Sequence, residues 1–327
     1  MKVSCLTTGA LHMKPAFFSK PAGSGNMLSH LTAIALDPAW CGPFPIRCWV
    51  VETDREVILI DSGSRAGEKG GVTRSRFTTT REEELGPGLR RLGYRISDIS
   101  RVFLTHLHAD HVGGLGLFSP DRVRVSRAEW NFLARVPGRL LKSMLAPLPA
   151  GFIPRLFDFE DQGIGLFPRS HDLGGDGSIR ALPTPGHSPG HTSYTIKLAD
   201  KTLVIGGDLT FSTDALGTLS SQGLVFSPRA HRESLLKMRN LVRDGDAEYV
   251  PTHERYSSHP MSGFDDVRER KGRPERRPFH FMKAGSELQP CRRGRGGCVA
   301  FASGADGANS VDGSQIGRGH DGVGAFT

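Results

Sequence analysis

Three histidines and an aspartate fall within six residues of the stretch LTHLHADHVGG, Leu104 to Gly114. Imidazoles are expensive to crowd, because each buried ring needs a hydrogen-bond partner and protonated rings repel one another. A divalent cation removes both difficulties. Zinc takes imidazole nitrogen at about 2.0–2.1 Å and carboxylate oxygen at similar range. In an extended segment residues i and i+2 point the same way, so His106 and His108 can approach one ion together. The chain then turns, which brings Asp110 and His111 towards a second point nearby. Gly113 and Gly114 follow directly and let the backbone turn tightly beneath the cluster.

Four ligands so close in sequence can serve two metals only if others arrive from elsewhere. Candidates stand at the ends of apolar runs. TPGHSPGH offers His187 and His191, LVIGGDLT offers Asp208, YVPTHE offers His253, and ILIDSG offers Asp61. A sheet whose strand ends deliver acids and imidazoles to one edge is how an α/β scaffold builds a metal site.

The elements that must position these residues alternate. RCWVVET and EVILIDSG read as two strands joined by a turn at Thr53–Arg55, both rich in β-branched residues. TTREEELGPGLRRLGY is helical in parts, with Thr80 as an N-cap and acidic residues in the first turn. RVFLTH and RVRVS are short strands, and RAEWNFLARV is a helix. SIRALPTPGH, TSYTIKL and TLVIGGD give three more strands. Ser227 caps PRAHRESLLKMRNLVRD with Pro228 at the first helical position, and AEYVPTHE closes the series as a strand running into a histidine. The pattern predicts a layered α/β domain. Val136–Ser170, rich in proline, leucine and phenylalanine, reads as an irregular insertion or lid.

The chain has 327 residues and a net charge of +8. Residues 261–327 hold 11 Lys/Arg against 8 Asp/Glu, so three of the eight charges sit there. Basicity spread so thinly over the rest argues against nucleic acid as a partner. The five cysteines are odd in number and form no CxxC pair, which argues against a disulfide framework or a cysteine zinc module. No apolar run is long enough to span a bilayer and the first residues make a poor export signal, so the cytoplasm is the expected location, with no membrane partner. From about residue 261 the chain becomes rich in glycine and arginine and poor in aliphatics. The expected organisation is therefore a folded domain over 1–260 and a disordered tail over 261–327.

Taken together, the motifs resemble the metallo-β-lactamase superfamily. THLHADH matches its HxHxDH signature, and TPGH, GGD and PTH follow in the expected order. The resemblance covers roughly residues 1–260 and implies an αββα sandwich with a two-metal site between the sheets. By motif, His106, His108 and His187 would bind one metal, Asp110, His111 and His253 the other, with Asp208 bridging. Asp61 would stand behind the ligands and orient the histidine loop. Asp110 is also assigned proton transfer during catalysis. His191 is assigned as a buried hydrogen-bonding partner rather than a ligand. His12, His30, His171, His231, His259, His280 and His320 are assigned to surface or core.

Within the superfamily the pattern is most similar to the N-acyl-homoserine lactonases. FPIRCWVVETDREVILIDSG is similar to their early strand pair, and LGYRISDISRVFLTHLHADHVGG to their helix, strand and metal loop. The expected activity is hydrolysis of a lactone or related ester by a hydroxide held between two Zn2+ ions, with iron or manganese as alternative metals and a small molecule as substrate. A glyoxalase-II-like thioesterase, another hydrolase of the same fold and a mononuclear iron sulfur dioxygenase are the alternatives, and oligomeric state is left open. One departure stands out. Those lactonases typically carry a tyrosine three residues after the bridging aspartate, and here the position is Phe211. Thr210 and Tyr194 are candidate replacement hydroxyls. Apolar residues of the N-terminal stretch (Phe17, Phe18, Met27, Leu28, Trp40, Phe44) and of the insertion (Leu140, Leu141, Met144, Leu145, Phe152) either line an acyl-chain pocket or simply cover the sheet.

Overall fold

The computed structural model describes residues 1–18, 27–70, 75–221, 223–245 and 247–254. The expected tail over 261–327, with His280 and His320, lies outside the described residues, as does His259 before it.

Two sheets face each other. The first has seven strands: β1 (Lys2–Met13), β2 (Cys41–Glu52), β3 (Val57–Ile60), β4 (Arg76–Phe77), β5 (Ile99–Phe103), β6 (Val123–Ser126) and β7 (Arg155–Phe157). Their spatial order is β4-β1-β2-β3-β5-β6-β7. The second has six: β8 (Asp161–Ile164), β9 (Phe167–Asp172), β10 (Ile179–Pro183), β11 (Thr192–Lys197), β12 (Thr202–Gly207) and β13 (Ala247–Pro251), in the order β13-β12-β11-β10-β9-β8.

Alternation along the strands decides the layering, because neighbouring side chains leave a strand on opposite faces. Cys5, Trp49, Val51, Ile58 and Ile60 point inward and meet Tyr194, Ile196, Leu203 and Ile205 of the opposite sheet. Their neighbours Leu6, Cys48, Val50 and Leu59 point outward, against Leu85 and Leu89 of helix α2 (Leu85–Arg91). On the far side Val204 and Tyr249 pack against Leu235 and Met238 of helix α7 (Pro228–Asp244). Both α7 residues are fully buried, so truncating either to alanine should cost about 2–5 kcal/mol. The result is the expected αββα sandwich.

Three parts of the sequence reading need correction. Lys2–Met13 form a long strand, β1, which the Thr and His interruptions in its apolar run conceal; Thr7 and His12 are half-buried there and Thr8 is fully buried. The N-terminal stretch contains helix α1 (Met27–Leu36). Val136–Ser170 is not irregular throughout: it supplies α5 (Arg139–Leu145), β7, β8 and the start of β9. The strands there are only three to six residues long and Gly165 turns the β8–β9 hairpin at φ 57°, so composition hides their periodicity. No helix among the described residues is long and apolar enough to cross a membrane.

Candidate metal centre

Strands β3 and β5 are parallel, as are β12 and β13; β10 runs the same way as β12, because each is antiparallel to β11. Their C-terminal ends therefore gather at one edge, where Asp61 follows β3, His106 follows β5, His187 follows β10, Asp208 follows β12 and His253 follows β13. The sheets are stitched together there. Thr192 N–H donates to the Thr105 carbonyl at 2.9 Å and the Tyr194 hydroxyl to the Leu104 carbonyl at 2.7 Å. His108 ends the extended segment as the N-cap of a short helix, α3 (Ala109–Val112), which carries Asp110 and His111. Gly113 and Gly114 serve close approach rather than an unusual backbone angle. A Cβ on either would lie 2.7 Å from the carbonyl of Gly63 or Ser62.

The seven expected ligands fall into two clusters, each with its ligand atoms within 4.8 Å of one another. The first is His106, His108 and His187. His106 Nε2 and His187 Nε2 lie 2.8 and 3.0 Å from His108 Nδ1. The second is Asp110, His111, Asp208 and His253. Asp208 faces both. Its Oδ2 lies 3.6 Å from His187 Nε2 and 3.9 Å from His106 Nε2, while Oδ1 lies 3.3 Å from both His111 Nε2 and His253 Nε2. Asp110 Oδ2 is 3.1 Å from His253 Nε2.

Partners on the far side of each ring fix the proton. His253 Nδ1 lies 2.9 Å from the Pro45 carbonyl, which can only accept, so Nδ1 carries the proton. His111 Nδ1 donates to Asp61 Oδ2 at 2.8 Å. His106 Nδ1 lies 3.0 Å from Thr105 Oγ1, whose own hydroxyl donates to Asp61 Oδ2 at 2.9 Å. Nε2 of each of these rings therefore points into the cluster, where its lone pair, once free of any proton, faces other lone pairs and carboxylates. His111 Nε2, His187 Nδ1, Asp208 Oδ1 and His253 Nε2 are buried without a hydrogen-bond partner. Buried polar atoms are rarely left so, and this donor set fits divalent cations.

Electrostatics divides the clusters. In the first, burial and repulsion from neighbouring histidines push the His106 and His187 pKa values well below the ordinary imidazole value, and burial lowers that of His108. These rings stand neutral. In the second, burial opposes the charge on His253, but Asp208 and Asp110 outweigh it and raise its pKa to about 9. Burial likewise opposes the charge on His111, and Asp208, Asp61 and Asp110 hold its pKa well above the usual range. Before metal arrives, protons occupy the second position.

The supporting residues divide into anticipated and missed. Asp61, fully buried at φ 60°, accepts from Thr105 N at 2.8 Å as well as from His111 and the Thr105 hydroxyl. His191 acts as expected: its Nε2 accepts the Asp208 N–H at 3.0 Å. Thr105 was not singled out, although its place directly before the first histidine is a usable signal. His231 is buried, and its Nε2 donates to the carbonyl of Leu209, next to Asp208, at 2.8 Å. His12, His30 and His171 stand apart from both clusters.

A cavity of about 250 Å3 opens onto His108, Asp110, His187 and Asp208. Phe17, Met144 and Leu145 line it as one reading of the sequence expects. Phe18 and Phe44 pack behind Phe211, Phe152 belongs to the core, Trp40 lies under Lys14 and Arg76, and Leu28 is exposed. The side chains of Met27 and Leu140 lie outside the described residues. Phe211 lines the cavity and stacks on His253, with centroids 4.9 Å apart. Neither candidate hydroxyl replaces the missing phenol. Tyr194 donates to Leu104 between the sheets, and Thr210 donates to the Ser212 carbonyl at 2.8 Å.

A family model described as the metallo-beta-lactamase superfamily matches residues 41–253. A probable metallo-hydrolase of Mycobacterium tuberculosis is 28% identical over 220 residues, 63% of this chain and 69% of that protein. An N-acyl homoserine lactonase of Bacillus cereus is 30% identical over 195 residues, 57% of this chain and 71% of that protein. Among solved structures, an N-acyl homoserine lactone hydrolase with the product N-hexanoyl-L-homoserine at its catalytic metal centre has a TM-score of 0.59 at 19% identity, covering 78% of this chain and 93% of that one. A dizinc quorum-quenching lactonase has a TM-score of 0.53 at 20% identity, covering 78% and 90%. At these identities the structural likeness speaks for the fold.

Proposed function

The chain belongs to the metallo-beta-lactamase superfamily, and from that premise we propose that it is a dinuclear, zinc-dependent hydrolase that opens a lactone or related ester bearing an apolar chain, with N-acyl-homoserine lactones as the first candidates. The superfamily scaffold carries many reactions, so the substrate has to be argued from the site.

The cavity carries the argument. Its described lining is dominated by side chains such as Leu11, Phe77, Phe132, Leu224 and Val225, and no lysine or arginine is among them. The carboxylates of an anionic substrate such as a glutathione thioester would find no lysine or arginine among the described residues of this lining. A neutral lactone with an acyl chain matches both ends: polar head at the clusters, apolar tail along the wall. The lactonase names of several relatives agree with this reading.

His106, His108 and His187 would hold one metal, and Asp110, His111 and His253 the other, with Asp208 shared between them. Bound there, the metals would supply a Lewis acid for the carbonyl and lower the pKa of water towards neutrality. Asp110 lines the cavity wall, and we assign it the uptake and release of the proton that the reaction moves. Phe211 contributes a wall without a donor, so this position adds no phenolic hydrogen bond to the developing oxyanion.

Steady-state kinetics on short- and long-chain acyl-homoserine lactones, a glutathione thioester and a β-lactam test the proposal. Lactone turnover that improves with chain length is the expected result. Thioester turnover with no lactone hydrolysis would overturn it.

A further inference from the structure

The two loops that carry the first cluster are far apart in sequence, and one buried carboxylate joins them. Glu129 sits in the first turn of α4 (Arg127–Arg135) and is 3% exposed. Its Oε1 accepts the N–H of Leu107, the residue between His106 and His108, at 3.2 Å. Its Oε2 accepts the hydroxyl of Ser188, directly after His187, at 2.7 Å and the N–H of Gly190 at 3.0 Å. The helix cap closes the same junction. Ser126 accepts the Glu129 N–H at 3.2 Å and donates to the Gly190 carbonyl at 2.7 Å. Gly190 is required, since a Cβ there would lie 2.0 Å from the Glu129 nitrogen.

We propose that Glu129 is a positioning residue for the first metal: it holds the His106–His108 segment and the His187 segment in register by accepting hydrogen bonds from both. The proposal rests on the reading of His106, His108 and His187 as metal ligands. Its chemistry favours a carboxylate over any neutral side chain. All three donors converge on two oxygens, and an ionised carboxylate accepts at every lone pair while donating nothing. Burying that charge is unfavourable unless its hydrogen bonds are made, and here each oxygen is engaged. Among the described residues no lysine, arginine or histidine forms an ion pair with it, so it is not one half of an ordinary buried salt bridge. Alignment of two loops is what its contacts accomplish.

The test is cobalt titration of the metal-free full chain, following the visible absorption bands, for the wild type and Glu129→Gln. Glutamine keeps the volume but places an NH2 against at least one of the N–H donors. The expected result is a 10- to 100-fold loss of affinity for one of the two equivalents, a typical effect of removing the support behind a ligand. The bands of the all-histidine position should change while the other equivalent binds as in the wild type; the unpaired N–H lowers the melting temperature of the metal-free protein without abolishing its cooperative unfolding. Unchanged binding of both equivalents would overturn the proposal, as would equal weakening of both. Should Glu129→Gln not fold, Ser188→Ala removes a single donor and decides the matter: weakening of one equivalent supports the proposal and unchanged binding overturns it. A wild type that binds fewer than two cobalt ions would overturn the metal reading itself, and this proposal with it.

Discussion

Replacing Asp61 with asparagine should loosen the second metal position without unfolding the chain. Asparagine tolerates the left-handed backbone that Asp61 adopts at φ 60°, so the perturbation is confined to one atom. Asp61 Oδ1 accepts Thr105 N–H at 2.8 Å, and Oδ2 accepts His111 Nδ1–H at 2.8 Å and the Thr105 hydroxyl at 2.9 Å. An amide has only one oxygen to offer. With the oxygen on Thr105 N–H, its NH2 meets His111 Nδ1, and the ring must shift its proton to Nε2, the atom aimed 3.3 Å from Asp208. With the amide turned over, His111 keeps its acceptor but the buried Thr105 N–H loses its own. Leaving a buried donor unpaired costs about 1–3 kcal/mol, and losing a hydrogen bond to a charged group about 1.5–3 kcal/mol. At about 1.4 kcal/mol per tenfold, the variant should bind its second metal roughly 10- to 100-fold more weakly. Competition against a chromophoric chelator reads that affinity, and thermal unfolding of the metal-free protein checks the fold. A second equivalent held as tightly as in the wild type would refute the orientation argument.

Phe211→Tyr places a hydroxyl on the ring that stacks against His253; if that hydroxyl reaches the oxyanion, a donor worth about 2.7–4 kcal/mol appears as a rise in kcat. No change in kcat on any lactone would show that the ring points its para position elsewhere. Zinc binding near neutral pH should release protons, because His253 titrates at about 9 without metal and is charged there. Its folded pKa is raised, so the metal-free ion pairs with Asp208 and Asp110 stabilise fully below the unfolded histidine value and are lost as pH rises through about 9. Calorimetry in buffers of different ionisation enthalpy should therefore show net proton release at neutral pH, with the His253 share lost as pH rises through about 9 while His111 and metal-bound water still contribute; no net release at neutral pH would contradict the assignment. A chain ending near Ser262 should retain metal binding and activity, since every proposed ligand precedes it; loss of either on truncation would show that the tail contributes to the domain.

The site was largely legible because its signals are local. THLHADH carries four of the seven candidate ligands in one segment, and the other three each follow an apolar strand that ends in a recognisable turn. The order of strands and helices predicted a layered α/β domain and the family resemblance implied the sandwich; in the structure Trp49/Val50 and Leu203/Val204 divide between two faces, as that architecture requires. What stayed hidden depends on contacts distant in sequence. Glu129 resembles any helix-start glutamate until Leu107, Ser188 and Gly190 are seen to converge on it. The glycines after His111 suggested a tight turn, whereas their reason is a crossing strand end at Ser62 and Gly63. Tyr194 looked available as a donor only because its partner, Leu104, lies 90 residues away on the other sheet.

The central claim is that Asp208 joins two metal positions, and elemental analysis of the zinc-reconstituted protein beside Asp208→Ala tests it most directly. The account predicts two zinc ions per chain in the wild type, with Asp208→Ala losing tight binding of at least one and most of the activity. A fully active wild type carrying a single metal, or an Asp208→Ala variant that keeps both metals and its rate, would contradict it.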